Sequence, residues 1–213
     1  MLVEHPTQVV SRPGQPRRDK VTPKMTSNGT VATSSHRLLW SALILGGTVP
    51  VAVGVYGSVH DPTGQQTISL FFSNTLSFKA WATTVVLALA LFQFWSALRM
   101  WGKVSWPREM PSWWGDGHRL SGTLAFALSL PVAFHCLWAL GFEPDFTELR
   151  RFTHSLLGCF FYGAFAAKVL IVRSHGAPSW ALPVVGGVVF TVLVSIWLTS
   201  SLWFFTNFGF PAL

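Results

Sequence analysis

The sequence predicts an all-α integral membrane protein, with about five transmembrane helices in one bundle behind a disordered N-terminal tail. Hydrophobic residues make up 50% and charged residues 11% of the 213 positions, and the mean hydropathy is +0.44. Soluble globular chains carry about 25% charged residues. Several apolar runs also reach the roughly 20 residues that a helix needs to cross a bilayer core. The net charge of +7 is therefore attributed to loops beside the lipid bilayer, and no nucleic-acid partner is expected.

The chain divides into a polar tail and a helical transmembrane domain. Residues 1–36 have no apolar period and are rich in polar residues and proline, a composition that predicts disorder on the cytoplasmic side. Residues 37–213 form the transmembrane domain, in which turn-forming or Trp- and Pro-rich loops separate the apolar runs. The five predicted spans are 38–59, 78–101, 118–140, 146–173 and 181–205.

The third and fourth spans are predicted to form a helical hairpin with a short polar turn. We expect Gly141 to end the first helix of this hairpin and Asp145 to cap its second helix. The segment 145–148 (Asp-Phe-Thr-Glu) is a capping-box pattern. With these boundaries, His135 and His154 lie roughly 9–14 Å below the same membrane surface, at about 1.5 Å per residue. Two histidines at one depth on antiparallel helices are expected to be neighbours.

The Lys and Arg residues predict the orientation in the membrane. If the five spans alternate, one side carries Arg12, Arg17, Arg18, Lys20, Lys24, Arg37, Arg99, Lys103, Arg108, Arg119, Lys168 and Arg173, and the other side only Lys79, Arg150 and Arg151. Because cytoplasmic loops are enriched in Lys and Arg, we expect a multi-pass cell-membrane protein with a cytoplasmic N-terminus and an external C-terminus. His60, His135 and His154 then belong to the outer half, and His118 and His175 lie near the inner surface.

The histidines indicate a haem site. An imidazole inside a membrane helix costs free energy unless it is paired or bound, and neutral imidazole is a common axial ligand of haem iron. His135 and His154 are the candidate ligand pair for one non-covalent b-type haem, since the sequence has no Cys-x-x-Cys-His motif. A second, inner haem would use His118. Arg150 and Arg151 are candidates to pair with haem propionates or an acidic partner, or else form a solvated pair.

Other interpretations of the same residues stay open. His135 and His154 can instead hydrogen-bond to each other or to the backbone, and the small residues around them are also typical of close helix packing. His60 could join this pair in a copper or zinc site at the outer face, or lie in water as a turn residue. Cys136 and Cys159 are expected at different depths, as unbridged apolar thiols.

Two resemblances add to these predictions. The segment 118–122 (His-Arg-Leu-Ser-Gly), His135 and the segment 153–158 (Thr-His-Ser-Leu-Leu-Gly) resemble an uncharacterised family of five-span bacterial membrane proteins, over nearly the whole chain after the tail. The hairpin is also similar to cytochrome b561 and ferric-reductase-like membrane haem proteins, in which His-Arg-x-x-Gly stretches begin helices. This second resemblance implies a b-haem electron carrier with His118, His135 and His154 as candidate ligands.

The functional hypothesis is a membrane oxidoreductase subunit that carries electrons from a membrane donor, such as a quinol, to an acceptor or redox partner protein at the outer face. A competing hypothesis is a haem-free membrane protein that acts as a sensor, a small transporter or an accessory subunit. A third hypothesis is a protein that binds copper or zinc through the outer histidines.

Reporter fusions test the predicted orientation. A reporter that is active only in the periplasm, fused after Leu213, and one that is active only in the cytoplasm, inserted near Glu109, should both give signal. Signal from the swapped pair alone would show that the orientation is inverted.

Overall fold

The computed structural model describes residues 28–65, 68–174 and 177–210, and within these ranges every regular element is helical. The α-helices are α1 (Asn28–Val59), α2 (Thr75–Met100), α3 (Trp114–His135), α4 (Leu149–Arg173), α5 (Ala181–Trp197) and α6 (Trp203–Phe208). A π-helical turn, Cys136–Leu140, extends α3, a 3-10 turn, Phe146–Glu148, precedes α4, and a second π-helical turn, Leu198–Leu202, joins α5 to α6.

Five helical segments are long and apolar enough to cross a membrane, which confirms the predicted fold class of a multi-pass helical membrane protein. They are Leu39–Val59, Thr75–Met100, Trp114–Leu140, Phe146–Arg173 and Ala181–Phe208. The first α-helix begins at Asn28, well before the predicted span, and the rest of the predicted tail, residues 1–27, lies outside the described residues.

Two helices begin earlier than predicted because of local hydrogen bonds. The Asn74 side chain accepts a hydrogen bond from the Ser77 N–H (2.8 Å) and so caps α2 at Thr75 instead of residue 78. In α3, the N–H groups of Trp114 and Gly117 donate to backbone carbonyls of the preceding turn. The glycine-rich segment before His118 is therefore the first turn of the helix, although its composition had suggested a loop.

The turn between α3 and α4 follows the prediction. Gly141 has a φ of 70°, and a Cβ added there would lie 2.8 Å from Pro62 Cγ, so both the backbone and the space favour glycine. The Asp145 side chain accepts a hydrogen bond from the Thr147 N–H (2.8 Å), which lowers the pKa of the Asp145 carboxyl. In a capping box, the Glu148 side chain would accept a hydrogen bond from the Asp145 N–H. Here the Glu143 side chain accepts that N–H instead (3.3 Å).

The helices of the hairpin do not pack closely against each other. In the described chain, α4 packs mainly against α1 and α5, and α3 packs mainly against α2, whereas few if any close backbone contacts join α3 to α4. The Phe126 and Phe165 rings stack across this gap (4.3 Å between centroids), and Tyr162 Oη donates to the Ser129 carbonyl (3.1 Å). The two helices of the hairpin therefore meet through side chains, and they are more widely spaced than the helix pairs α1–α4 and α2–α3.

The closest helix contact joins α1 and α4. A Cβ on Gly163 would overlap the Gly46 carbonyl oxygen and the Pro50 ring, and a Cβ on Gly46 would lie 3.0 Å from Ala167 Cβ. Membrane helices approach this closely only where both present small residues. This contact fixes the position of α4 in the bundle.

Substitution of Gly163 tests that contact. Gly163→Ala should lower the stability of the protein by about 1–3 kcal/mol, since a methyl group has no space between the two backbones. Gly158→Ala, on the same helix, is the matched control, because a Cβ there meets nothing within 4 Å. Thermal unfolding in detergent measures both, and equal stability of the two variants would contradict the contact.

Candidate functional site: a cavity at the hairpin end of the bundle

The separation of α3 from α4 leaves a cavity of about 530 Å³ between α2, α3, α4 and α5. It lies at the end of the bundle that carries the loops after α1 and after α3, and we call it the hairpin cavity. Its volume is within the roughly 300–1,000 Å³ that is typical of ligand pockets. Its polar and charged lining comprises Lys79, Thr83, Ser129, Cys136, Glu143, Arg150, Arg151, His154, Ser155, Tyr162, Ser200 and Ser201, and its buried apolar lining includes Val86, Cys159, Phe161 and Leu193.

Positive charge predominates in the lining of the hairpin cavity, where three cations face one carboxylate, Glu143. Arg151 is shared by Glu143 (3.9 Å) and Glu148 (3.8 Å). In the described part of the chain, no Asp or Glu oxygen lies within 4.0 Å of Lys79 or Arg150. Two cations of the cavity therefore have no acidic partner from the described residues.

The Arg150 guanidinium is held in a fixed position. Its Nη1 donates to the Thr199 carbonyl (2.8 Å), and its Cζ lies 3.9 Å from the ring centroid of Trp203. The stacking on an indole is a favourable cation–π contact. Arg150 is thus oriented before any ligand binds, and its remaining N–H groups are available.

His154 is oriented by the π-helical turn after α5. Its Nδ1 lies 3.1 Å from Thr199 Oγ1, and that hydroxyl lies 2.9 Å from the Ser195 carbonyl and 3.0 Å from the Ile196 carbonyl. Because the single Thr199 hydroxyl proton is donated to a carbonyl, we assign the Nδ1 proton to His154. The lone pair is then on Nε2, the nitrogen that could bind a metal or accept a proton.

Cys136 is the residue of this cavity that the sequence analysis did not identify. Its thiol lines the cavity together with the side chains of His154 and Lys79. The prediction of an apolar environment is therefore wrong for Cys136, because α2 and α4 bring polar groups to it. Cys159 is buried, and the absence of a Cys136–Cys159 bridge is confirmed, as both thiols are free. The sequence contained one indication of polar groups at this depth, because Lys79 lies inside an apolar run and a charged side chain there needs a polar environment.

Two π-helical turns border the cavity. Cys136–Leu140 widens the end of α3, and Leu198–Leu202 widens the end of α5 next to His154. Such turns occur frequently at functional sites. The second turn is tied to α2 by a hydrogen bond between Ser201 and Thr83.

His135 does not share the hairpin cavity with His154. It is buried, its Nδ1 has no hydrogen-bond partner, and the backbone of Gln65 lies beside it. Since consecutive helical residues point about 100° apart, His135 and Cys136 face different neighbours, and Cys136 is the one in the cavity lining. The described structure therefore does not bring the predicted ligand pair to one pocket.

The other predicted histidines each have their own partners. The His60 ring stacks on Tyr56 and Trp138 (centroids 5.2 and 4.6 Å apart), and His60 Nε2 lies 3.3 Å from the Trp138 carbonyl. At the opposite end of the bundle, His118 Nδ1 lies 2.7 Å from Ser96 Oγ. His175 lies outside the described residues.

The three-histidine copper or zinc site is not formed. Among residues 28–65, 68–174 and 177–210, no group of three or more His, Cys, Asp or Glu side chains could hold a metal ion. His60 is occupied by the two aromatic rings described above, and so it does not join His135 and His154.

The fold and the cavity define the class: a helical membrane protein with five spans and, at one end, a cavity whose lining carries charged residues. A family model described as a family of unknown function, DUF6529, matches residues 39–212, and the chain belongs to this family. The prediction of an uncharacterised family is thereby confirmed. No curated protein and no solved structure matches the chain, and the looser resemblance to cytochrome b561 finds no support in these comparisons.

Proposed function

We propose that the hairpin cavity binds an anionic amphiphile from the surrounding leaflet of the membrane. The observation that carries this proposal is the excess of cations over carboxylates in a cavity with an apolar inner wall. A ligand with a negative head group and an apolar body matches both parts of this lining. With the orientation predicted from the Lys and Arg distribution, the cavity would lie in the outer leaflet of the cell membrane.

Unpaired cations within a membrane protein favour an anionic partner. Charged side chains in membrane spans are costly and pair with counter-charges or line polar cavities. Arg150 and Lys79 have no acidic partner in the described residues, so a bound anion would supply the missing charge. An oriented guanidinium binds phosphate or carboxylate through two parallel hydrogen bonds, which Arg150 is positioned to donate.

Replacement of Arg150 tests the binding of an anionic head group. Arg150→Gln should weaken the retention of phosphatidylglycerol by about tenfold or more, because a hydrogen bond to a charged group contributes about 1.5–3 kcal/mol. Native mass spectrometry of the purified full-length protein, titrated with this lipid, measures the retention.

Arg173→Gln is the matched control, since Arg173 ends the same helix at the opposite end of the bundle. Its lipid retention should equal that of the unaltered protein. Equal loss in both variants would indicate unspecific charge attraction, and no loss in Arg150→Gln would contradict the proposed site.

A second candidate ligand is b-type haem, which is itself an anionic amphiphile with two propionates. His154 favours it, because the bond from Nδ1 to Thr199 leaves Nε2 available as an axial ligand in the cavity wall. Arg150, Arg151 and Lys79 would hold the propionates. Bound haem supplies one-electron redox chemistry, and the protein would then carry electrons between a membrane donor, such as a quinol, and an acceptor at the outer face.

The residues of the hairpin cavity fit a haem with one histidine ligand, since His135 is not part of the lining. In the haem candidate, His154 alone would bind the iron, and His135 would have no role. His118, at the other end of the bundle, bonds to Ser96, and no inner haem is included in this proposal.

Visible spectroscopy of protein purified from haem-replete cells tests this candidate. If haem is bound, His154→Ala should remove its absorbance, whereas His135→Ala should retain it. Equal loss in both variants would restore the two-histidine ligand pair and contradict the cavity as the haem site. A colourless preparation would eliminate haem and leave the binding of another anionic amphiphile to be measured with the lipid titration.

A further inference from the structure

We propose that Cys136 is the nucleophile of an acyl-transfer site in the hairpin cavity, and that its acyl donor is an anionic phospholipid. The inference rests on the proposed function, since the same cavity must first bind the lipid. It identifies the substrate class and adds a covalent step.

The hairpin cavity contains the groups of an activated nucleophile. Such sites place a thiol beside a general base, and a third group orients the base. Here the Cys136 thiol and His154 line the same cavity, and Thr199 Oγ1 holds His154 Nδ1 at 3.1 Å. Because Nδ1 carries the proton in this arrangement, Nε2 is the nitrogen that can accept the thiol proton.

Lys79 adds a positive charge at the reacting centre. Its side chain lines the same cavity as the Cys136 thiol. A fixed cation beside the sulfur stabilises both the thiolate and the oxyanion that develops on the attacked carbonyl.

The vertical arrangement of the cavity matches a phospholipid. Arg150 lies one helical turn, about 6 Å, closer to the hairpin end than His154 on the same helix. In a phospholipid, the ester carbonyls likewise lie a few ångströms deeper than the phosphate. A phosphate bound by Arg150 would thus bring an ester carbonyl to the level of the thiol, with the acyl chain along the apolar wall of Val86, Phe161 and Leu193.

The proposed step is balanced without an oxidant or a reductant. Cys136 Sγ attacks the ester carbonyl carbon while its proton moves to His154 Nε2. The tetrahedral adduct then collapses, the ester C–O bond breaks, and His154 returns the proton to the leaving oxygen of the lysophospholipid. The products are a thioester on Cys136 and one lysophospholipid.

The test uses the full-length protein in nanodiscs of phosphatidylglycerol with deuterated acyl chains. We expect a hydroxylamine-sensitive, deuterated acyl group on the peptide containing Cys136, with release of an equal amount of lysophosphatidylglycerol, and no adduct on Cys159. His154→Ala should slow adduct formation by roughly a hundredfold or more, as is typical for the loss of a general base. His118→Gln is the control for a histidine outside the cavity and should leave the rate unchanged.

Each outcome separates the inference from the proposed function. Cys136→Ala and Cys136→Ser should both lose the adduct but retain phosphatidylglycerol in the lipid titration. Retained lipid without an adduct on Cys136 of the unaltered protein would overturn the acyl-transfer inference alone. Absence of lipid retention in the unaltered protein would overturn the proposed function. Equal acylation of Cys159, or an unchanged rate in His154→Ala, would show unspecific acylation and also overturn the inference.

Discussion

The architecture depends on the contact between α1 and α4 at Gly163. The backbones of the two helices nearly touch there, whereas few if any close backbone contacts join α4 to α3. Arg150 and His154, on the first half of α4, line the hairpin cavity and bond to the π-helical turn after α5. The α1–α4 contact thus fixes the helix that carries these ionisable groups of the cavity.

The two π-helical turns adapt the helix ends to this cavity. An inserted residue widens the turn and changes the direction of the side chains that follow it, so the ends of α3 and α5 are not aligned with the helices before them. The turn after α5 places Thr199 against His154 and Arg150, and its neighbour Ser201 bonds to α2. The charged groups of the cavity are thus oriented by hydroxyls and carbonyls of a single segment.

The sequence predicted the helices well because each depends on local information. Apolar runs set the five spans, the positive φ of Gly141 ends α3, and the Asp145 side chain begins the fourth helical segment. Two helix starts were predicted three or four residues too late: Asn74 caps α2 just before its first residue, and the first turn of α3 contains two glycines, which are more typical of a loop.

The candidate site was only partly predictable, because it depends on which helix faces meet. His154, Arg150 and Arg151 were identified from their depth and charge, whereas Cys136 required the knowledge that α2 brings Lys79 towards it. Equal depth suggested that His135 and His154 are partners. Depth does not determine the direction of a side chain around its helix, and His135 lies outside the lining of the cavity that contains His154.

The central claim is that an anionic amphiphile occupies the hairpin cavity, and a crystal structure with a bromine-labelled phosphatidylglycerol tests it most directly. We predict anomalous bromine peaks between α3 and α4, beside Phe161 and Leu193, with the phosphate at Arg150. Bromine peaks confined to the outer surface of the bundle, with water or protein side chains filling the cavity, would contradict the account.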